Sequence, residues 1–504
     1  MDTNIPAKSQ KTPSIKKNFI MNTILNMSGF IFPLISYPYV SRILGPDGIG
    51  SVNFAISFVT YFNMFAQLGI PSYGIRACAR VRDDKEELGR TVTELLIINL
   101  ITSAIVYIIF FAVIFSVPSL RVDKSLYIII SATIILNSLG MSWLFQALEK
   151  YSYITIRSVI FKFIAVAGMF LLVKSQDDYL IYAALTIFAA SASNILNLIY
   201  SQKLVRIGRS GRAIDPKRHL RPVFVFFAMA CATTVYLHLD NVMLGIISSK
   251  TEVGYYSTSV KIKSILVVLV TSLGSVLLPR LSYYVENKMM EEFRRISAKA
   301  LHFVLIISIP LVVYFFMYAA PVIQLIAGEK FTASVLPMQI IMPTLLFIGI
   351  TNIYGIQILV PYGLEKYVLY SEIGGAVTDL ILNAILIPFY GAAGAAFGTL
   401  VAEAVVLIIQ YRKLKNLSML PSSGVKLHVI ILATAVSGAL SLLSYIPDFS
   451  RYMSLTAGSF LVMVISCILF FIPYFCLLLV FKDSFVTEMV RSWRSHWINH
   501  GTVL

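Results

Sequence analysis

Long apolar segments recur along nearly the whole chain, and they restrict the possible fold more than any other feature. About 20 apolar residues cross a bilayer as one helix. About fourteen segments meet this requirement, namely residues 18–40, 51–75, 91–117, 125–148, 151–173, 179–202, 222–247, 255–279, 298–320, 334–360, 367–388, 391–411, 427–446 and 456–481. The polar gaps are shortest at 149–151 and 388–392. The sequence therefore predicts an all-α polytopic membrane protein with about 14 transmembrane helices.

The distribution of basic residues predicts the orientation. If the N-terminus is cytoplasmic, the cytoplasmic segments contain 31 of the 41 lysines and arginines and the outer segments contain 7. Such an excess on one side is the positive-inside pattern, and it places both termini in the cytoplasm. The net charge of +16 therefore indicates contact with anionic membrane lipid, and we expect no nucleic acid partner.

The chain divides into two similar halves. We predict a cytoplasmic tail at 1–17, a six-helix bundle at 18–202, a basic cytoplasmic linker at 203–221, a second six-helix bundle at 222–411, two extra peripheral helices at 427–481 and a cytoplasmic tail at 482–504. Both halves contain a Leu-Gly pair, a short polar stretch and a glycine that begins the next span, with Gly50 and Gly254 in equivalent places. A parallel repeat of this kind predicts a pseudo-symmetric pair of bundles around a central cavity.

Cations inside apolar spans are the first candidate site residues, because a charge at mid-bilayer costs about 2.5–3.5 kcal/mol and usually faces a cavity or a partner. Lys162 lies near the centre of the fifth span. It either attracts an anionic substrate or pairs with a carboxylate of a neighbouring helix. Lys261 and Lys263 point to different faces of the eighth span, and we favour Lys261 as the residue in the cavity. Arg42 and Arg76 flank the first two spans and are further candidate anion contacts, although Arg76 could simply mark the boundary.

Three carboxylates within spans are candidates for ion coupling. Asp379 and Glu403 lie at similar depth in adjacent spans, and Asp379 shares a helix face with Asn383. A carboxyl group in a low dielectric binds protons more readily, as coupling to a proton gradient requires. The alternative is a hydrogen-bonded contact between helices. Asp240 is either a coupling residue or a cap near the outer surface.

Enzymatic motifs are absent from the sequence. It contains no G-x-x-x-x-G-K-[ST], H-E-x-x-H or G-x-S-x-G pattern. The four cysteines are scattered, so we expect neither a disulfide nor a metal site. The first apolar run is too long for a signal peptide, and no A-x-A site follows it. We therefore predict a protein that is not an enzyme and uses no cofactor.

Five segments in order resemble one family. They are "SYPYVSRILGPDGIGSVNFA", "LGIPSYGIRACAR", "LDNVMLG" with "EVGYYSTSVKI", "VLLPRLS" and "LNAILIPFYGAAGAAFGTLVAE". Together they are similar to the Wzx-type O-antigen and polysaccharide repeat-unit flippases, a branch of the multidrug/oligosaccharidyl-lipid/polysaccharide (MOP) exporter superfamily. The resemblance implies transport of undecaprenyl-pyrophosphate-linked oligosaccharide across the bacterial inner membrane, alternating access, a cationic cavity and ion-gradient coupling. By motif position it carries over Arg42, Arg76, Asp240 and Lys261, and it implies the polysaccharide polymerase machinery as a possible partner.

Other functions remain open from the sequence. A flippase for a peptidoglycan precursor or for teichuronic acid would share this fold. A multidrug or cation antiporter of the same superfamily should have a more acidic cavity, which the lysines in the spans argue against. A membrane polymerase or ligase usually needs a large outer loop, and the predicted outer loops are all short.

Overall fold

The computed structural model describes residues 15–205, 207–208, 213–421, 426–446, 455–488 and 490. Most of the predicted terminal tails and part of the linker at 203–221 lie outside these residues. The helices are α1 (Ile15–Gln67), α2 (Ile70–Arg80), α3 (Lys85–Ser116), α4 (Pro118–Arg121), α5 (Lys124–Gly140), α6 (Ser142–Ala147), α7 (Tyr151–Leu172), α8 (Tyr179–Ile187), α9 (Asn194–Leu204), α10 (Lys217–Ile247), α11 (Lys250–Glu286), α12 (Met290–Met317), α13 (Ala319–Ile326), α14 (Val335–Ile341), α15 (Thr344–Thr351), α16 (Glu365–Asn416), α17 (Leu427–Ser441) and α18 (Leu455–Val480).

Eleven helical segments of the described chain are long and apolar enough to cross a membrane. The number is twelve if the pair Glu329–Ile341 and Thr344–Leu359, bent by 43°, forms one more span. The prediction of an all-α polytopic membrane protein is confirmed. The count is below the predicted fourteen because two of the segments, Lys17–Arg80 and Glu365–Asn416, each contain two of the predicted spans.

Both of these long segments are broken at a glycine. In α1 the break is at Gly45 (φ 70°), and in α16 it is at Gly391 (φ 50°), inside the short gap predicted at 388–392. The left-handed region of φ is readily available only to glycine. Beyond Gly391 the second half of α16 folds back along the first half. A hydrogen bond from the Gln410 amide to the Ser371 hydroxyl, at 3.0 Å, shows this contact between the two halves.

The other short gap also ends a helix. Glu149 has a φ of 55°, and α7 begins two residues later at Tyr151. Two predicted spans are interrupted by wider, π-helical turns, at Phe188–Ala192 between α8 and α9 and at Asn352–Leu359 after α15. Such turns leave local carbonyl groups without their usual helical partners and often mark functional positions.

The chain clusters into two compact units. The first unit contains Met1–Ile43 and Ala55–Val235, and the second contains Leu44–Phe54 and Tyr236–Leu504. A core of the first unit joins residues of α2, α3, α6 and α9 around the buried side chain of Trp143. The two units divide within α10 rather than at the linker, so they do not correspond to the six-helix bundles proposed at 18–202 and 222–411. These bundles therefore stay a prediction.

Within the second unit, the two glycines of the sequence repeat, Gly50 and Gly254, each pack against the backbone just before the other. A β-carbon on Gly50 would lie 1.7 Å from the carbonyl oxygen of Lys250, and one on Gly254 would lie 2.0 Å from that of Pro46. Nearby, the side-chain amide of Asn53 donates to the Ser257 hydroxyl at 2.8 Å. Only glycine allows the two backbones to approach this closely.

The last two long helices pack on α12. An apolar cluster joins residues of α12, α17 and α18, and the Tyr474 hydroxyl donates to the carbonyl of Ile306 at 2.8 Å. The segment after α18 also contacts α12, since Lys299 donates to Glu488 at 2.7 Å. This hydrogen bond and the charge of Lys299 hold the pKa of Glu488 below its ordinary value.

Candidate functional site

Asp240 is the centre of a buried hydrogen-bond cluster in the second unit. Its carboxylate accepts a hydrogen bond from the Asn383 amide at 2.7 Å, one from the Thr399 hydroxyl at 3.1 Å and one from the Tyr256 hydroxyl. Only 8% of Asp240 is exposed. Three donors on three other helical segments therefore converge on one carboxylate.

A second group of polar residues lies next to this one. Glu403 accepts a hydrogen bond from the Tyr236 hydroxyl at 2.6 Å, and Asp379, 2% exposed, lies within hydrogen-bonding reach of Asp240. Lys263 interacts electrostatically with Glu403, Asp240 and Asp379. We refer to these eight residues as the carboxylate cluster: Asp240, Tyr256, Asn383, Thr399, Tyr236, Lys263, Asp379 and Glu403.

Helical spacing explains why the cluster has two layers. On α10 and on both halves of α16, the two cluster residues are four positions apart and share a face. On α11, Lys263 follows Tyr256 by seven positions, or about two turns. Its side chain leans toward the N-terminus of the helix and so back toward the cluster. Each layer thus takes one residue from each of four helical segments.

Two buried oxygen atoms of the cluster have no hydrogen-bond partner among the described residues. They are the Oδ1 atoms of Asp379 and Asn383. A buried polar atom left unpaired costs about 1–3 kcal/mol. The cluster contains three carboxyl groups and one lysine, so it gains an excess of negative charge when all three carboxyl groups are ionised. These features suit it to take up and release a small cation.

The first unit contains buried cations of a different kind. The ammonium group of Lys162 donates to the Ser28 hydroxyl at 2.8 Å. Arg157, on the same helix, is 7% exposed and donates to the carbonyl of Ser193, just after the π-helical turn. Neither cation has a carboxylate partner in the described part of the chain, which argues against the structural ion pair considered for Lys162.

Sequence reasoning missed several of these residues. Arg157 lies within α7 and is buried, and no feature of the sequence separated it from the other basic residues. Tyr236, Tyr256 and Thr399 had not been singled out, since a hydroxyl in an apolar span is common. The i, i+4 spacing to Asp240 and Glu403 was the signal available for Tyr236 and Thr399.

The other predicted cations lie elsewhere. Arg42 is half-buried at the end of the first half of α1 and donates to the carbonyl of Pro38. Arg76 is exposed on α2, and Lys261 is half-buried on α11. Their predicted contact with substrate stays a prediction.

A further buried charge network fixes the beginning of α10 in the first unit. Glu94 is fully buried and accepts hydrogen bonds from Arg218 at 2.7 Å, from Arg90 at 3.0 Å and from the backbone amide of Asp215 at 2.7 Å. His219 lies 2.9 Å from the same carboxylate. We refer to these five residues as the Glu94 network.

Membrane-spanning helices that contain buried charged residues are characteristic of transporters. The chain belongs to the family described as polysaccharide biosynthesis protein, which matches residues 15–285. A second family, MatE, matches residues 226–385. The predicted placement in the Wzx-like polysaccharide branch of the MOP superfamily is confirmed, and the protein is a transporter rather than an enzyme.

Curated relatives match most of the chain. A protein of Escherichia coli (strain K12) named as an O-antigen transporter is 23% identical over 81% of this chain and 98% of its own length. A Shigella dysenteriae protein of the same name is 25% identical over 80% of this chain and 100% of its own length. A Haloferax volcanii protein named as a low-salt glycan biosynthesis flippase is 23% identical over 50% of this chain and 52% of its own length.

Two solved structures share the fold. The lipid II flippase MurJ in an inward closed conformation has a TM-score of 0.73 and 15% identity, and the match covers 92% of this chain and 99% of that one. An inward-facing multidrug resistance transporter of the MATE family has a TM-score of 0.63 and 14% identity, covering 80% and 100%. At such identities the likeness establishes the fold only.

Proposed function

We propose that this protein is a flippase that moves undecaprenyl-pyrophosphate-linked oligosaccharide repeat units across the bacterial inner membrane, for O-antigen or surface polysaccharide synthesis. The observation that carries the proposal is that each unit, taken by itself, contains buried charge of a different sign. Among the described residues, Lys162 and Arg157 lie in the first unit without a carboxylate partner, and three carboxyl groups lie together in the second unit. The names of the relatives in Escherichia coli and Shigella dysenteriae support the same substrate class.

The chemistry of the substrate fits the buried cations of the first unit. Each hydroxyl group of a sugar costs several kcal/mol to strip of water in hydrocarbon, and the pyrophosphate adds negative charge. Cations inside or beside the apolar spans can accept the pyrophosphate, and for this role we propose Lys162, Lys261, Arg42 and Arg76. The oligosaccharide would cross within a polar cavity while the lipid tail stays in the bilayer.

The carboxylates Asp240, Asp379 and Glu403 would couple transport to an ion gradient. One elementary charge moving across 100 mV is worth about 2.3 kcal/mol, which is enough to drive a directional cycle. The unpaired oxygen of Asp379 supports its role as the group that takes up the ion.

For the topology we propose fourteen spans with both termini in the cytoplasm. The breaks at Gly45 and Gly391 support counting α1 with α2, and α16, as two spans each. The even number agrees with the distribution of lysine and arginine. Two six-helix bundles around a central cavity, with α17 and α18 outside, would then move by alternating access.

A deletion strain tests the proposed function. We expect loss of surface polysaccharide and accumulation of lipid-linked repeat units inside the cell, both restored by the intact gene. Purified protein in proteoliposomes should then make labelled lipid-linked repeat units accessible from the opposite face. Normal surface polysaccharide in the deletion strain would contradict the proposal.

A multidrug or cation antiporter is the second candidate, favoured by the MatE match over residues 226–385, which include Asp240 and Asp379. Export of cationic dyes by proteoliposomes that do not move lipid-linked oligosaccharide would support it. A peptidoglycan-precursor flippase would instead restore growth to cells that lack their own lipid II flippase.

A further inference from the structure

Lys263 occupies an unusual place among the charged residues of the second unit. It is half-buried on α11 and shares a helix face with Tyr256, which donates to Asp240. None of the described carboxylates is within direct ion-pair distance of it, yet it interacts electrostatically with Asp240, Asp379 and Glu403. Its ammonium group is therefore attracted by the cluster without being fixed to one partner.

The position of Lys263 matters because the carboxylate cluster contains more acidic groups than basic ones. The cluster contains three carboxyl groups. A fourth, that of Glu372 in the first half of α16, interacts electrostatically with Glu403 in the second half. Lys263 is the cation that acts on this group from within the described part of the second unit. A monovalent cation that enters the cluster would compete with Lys263 for the same negative charge.

The length of the side chain allows a change of partner. Lysine has a compact charge at the end of a flexible four-carbon chain and can turn without movement of the backbone. We propose that Lys263 is a tethered cation that neutralises the carboxylate cluster while the coupling cation is absent and turns to the substrate pyrophosphate when that cation binds.

This role rests on the proposed function and adds a physical link between the ion and the substrate. A cation that binds at Asp379 weakens the electrostatic attraction between the carboxylate cluster and Lys263. The ammonium group of Lys263 is then available to bind the anionic substrate. Because coupling between two ligands is reciprocal, the substrate must also strengthen binding of the cation. The linkage would pass through one side chain.

Cation binding to purified protein tests the proposal without transport. Binding raises the unfolding temperature, so a titration gives the half-saturating cation concentration. One arm varies Na⁺ at fixed pH and the other varies pH without Na⁺, which separates sodium from the proton. For Lys263→Met we expect the half-saturating concentration to fall at least tenfold, because the competing charge is gone. Lys263→Arg should stay within about threefold of wild type, and the exposed Lys288→Met is the control for charge loss.

Farnesyl pyrophosphate, with farnesol as the neutral control, tests the link to the anion. In the wild type, the pyrophosphate should lower the half-saturating cation concentration, and in Lys263→Met it should not. If Lys263→Met keeps both the wild-type cation affinity and the response to pyrophosphate, the role of Lys263 is overturned and the proposed function stands. If the wild type responds to neither cation, the coupled mechanism is overturned, and the role of Lys263 with it.

Discussion

Replacement of Glu94 by glutamine should destabilise the first unit measurably. The carboxylate of Glu94 is fully buried and interacts with two arginines, Arg90 and Arg218, and with His219. Glutamine has nearly the same shape, but it carries no charge, and one of its two terminal atoms is a donor instead of an acceptor. The variant Glu94→Gln therefore sets an N–H group against another donor and leaves the partly buried charges of Arg90 and Arg218 compensated only by Glu87.

The magnitude follows from the geometry. Removing one partner of a buried ion pair costs about 3–5 kcal/mol. The lower figure applies here, because the Arg218 side chain is 33% exposed and keeps its contact with Glu87 at 2.7 Å. For a unit of 150–250 residues, 1 kcal/mol shifts the melting temperature by about 2–4 °C. We therefore expect a decrease of about 6–12 °C.

Tryptophan fluorescence during heating of the protein in detergent is a suitable assay. Trp143 is buried in the same core as Leu88 and Val92 of α3, so its emission reports on the packing around Glu94 once Trp493 and Trp497 are replaced by phenylalanine in all variants. The exposed Asp83→Asn is the control. A further change of Arg218 to Met in the Glu94→Gln protein should recover part of the loss, because one of these partly buried charges is removed. A melting temperature for Glu94→Gln within 1 °C of wild type would refute the reasoning.

Three further predictions concern single residues. Lys162→Ala should abolish surface polysaccharide in the complementation assay while the protein still inserts, and Lys162→Arg should retain activity; unchanged polysaccharide in Lys162→Ala would remove this residue from the mechanism. Asp379→Asn should slow gradient-driven transport in proteoliposomes to the rate without a gradient, whereas full ion dependence in this variant would exclude Asp379 as the coupling residue. Gly254→Ala should lower stability by about 1–3 kcal/mol, because its β-carbon would lie 2.0 Å from the Pro46 carbonyl. Gly29→Ala, where the added atom meets nothing within 4 Å, should not lower the melting temperature and is the matched control.

Hydropathy predicted the helices well because the bilayer imposes a length and an apolar composition on each span. The breaks at 149–151 and 388–392 were also visible, since polar residues or glycine interrupt the apolar run. The π-helical turn at Phe188–Ala192 was not visible, because its residues are compatible with an ordinary helix and only packing selects the wider turn.

The candidate site was partly predictable for a similar reason. Asp379 and Glu403 were recognisable by depth alone, because a charge within an apolar span needs a compensating environment. The approach of Asp379 to Asp240 was not predictable, since residues 139 positions apart in the sequence meet only when the helices pack. The sequence also could not decide whether Lys261 or Lys263 faces the cavity, because the hydropathy pattern is compatible with either side of the helix facing inward.

The contact between Gly50 and Gly254 resembles an isologous interface, in which two equivalent surfaces contact each other, although both surfaces here belong to one chain. Gly50 meets the carbonyl four residues before Gly254, and Gly254 meets the carbonyl four residues before Gly50. In a symmetric dimer such a contact is made by one surface patch with its own copy, so a single mutation alters both sides at once. Here the two copies are encoded separately. Each can therefore be changed alone, and loss of either glycine is enough to force the two turns apart.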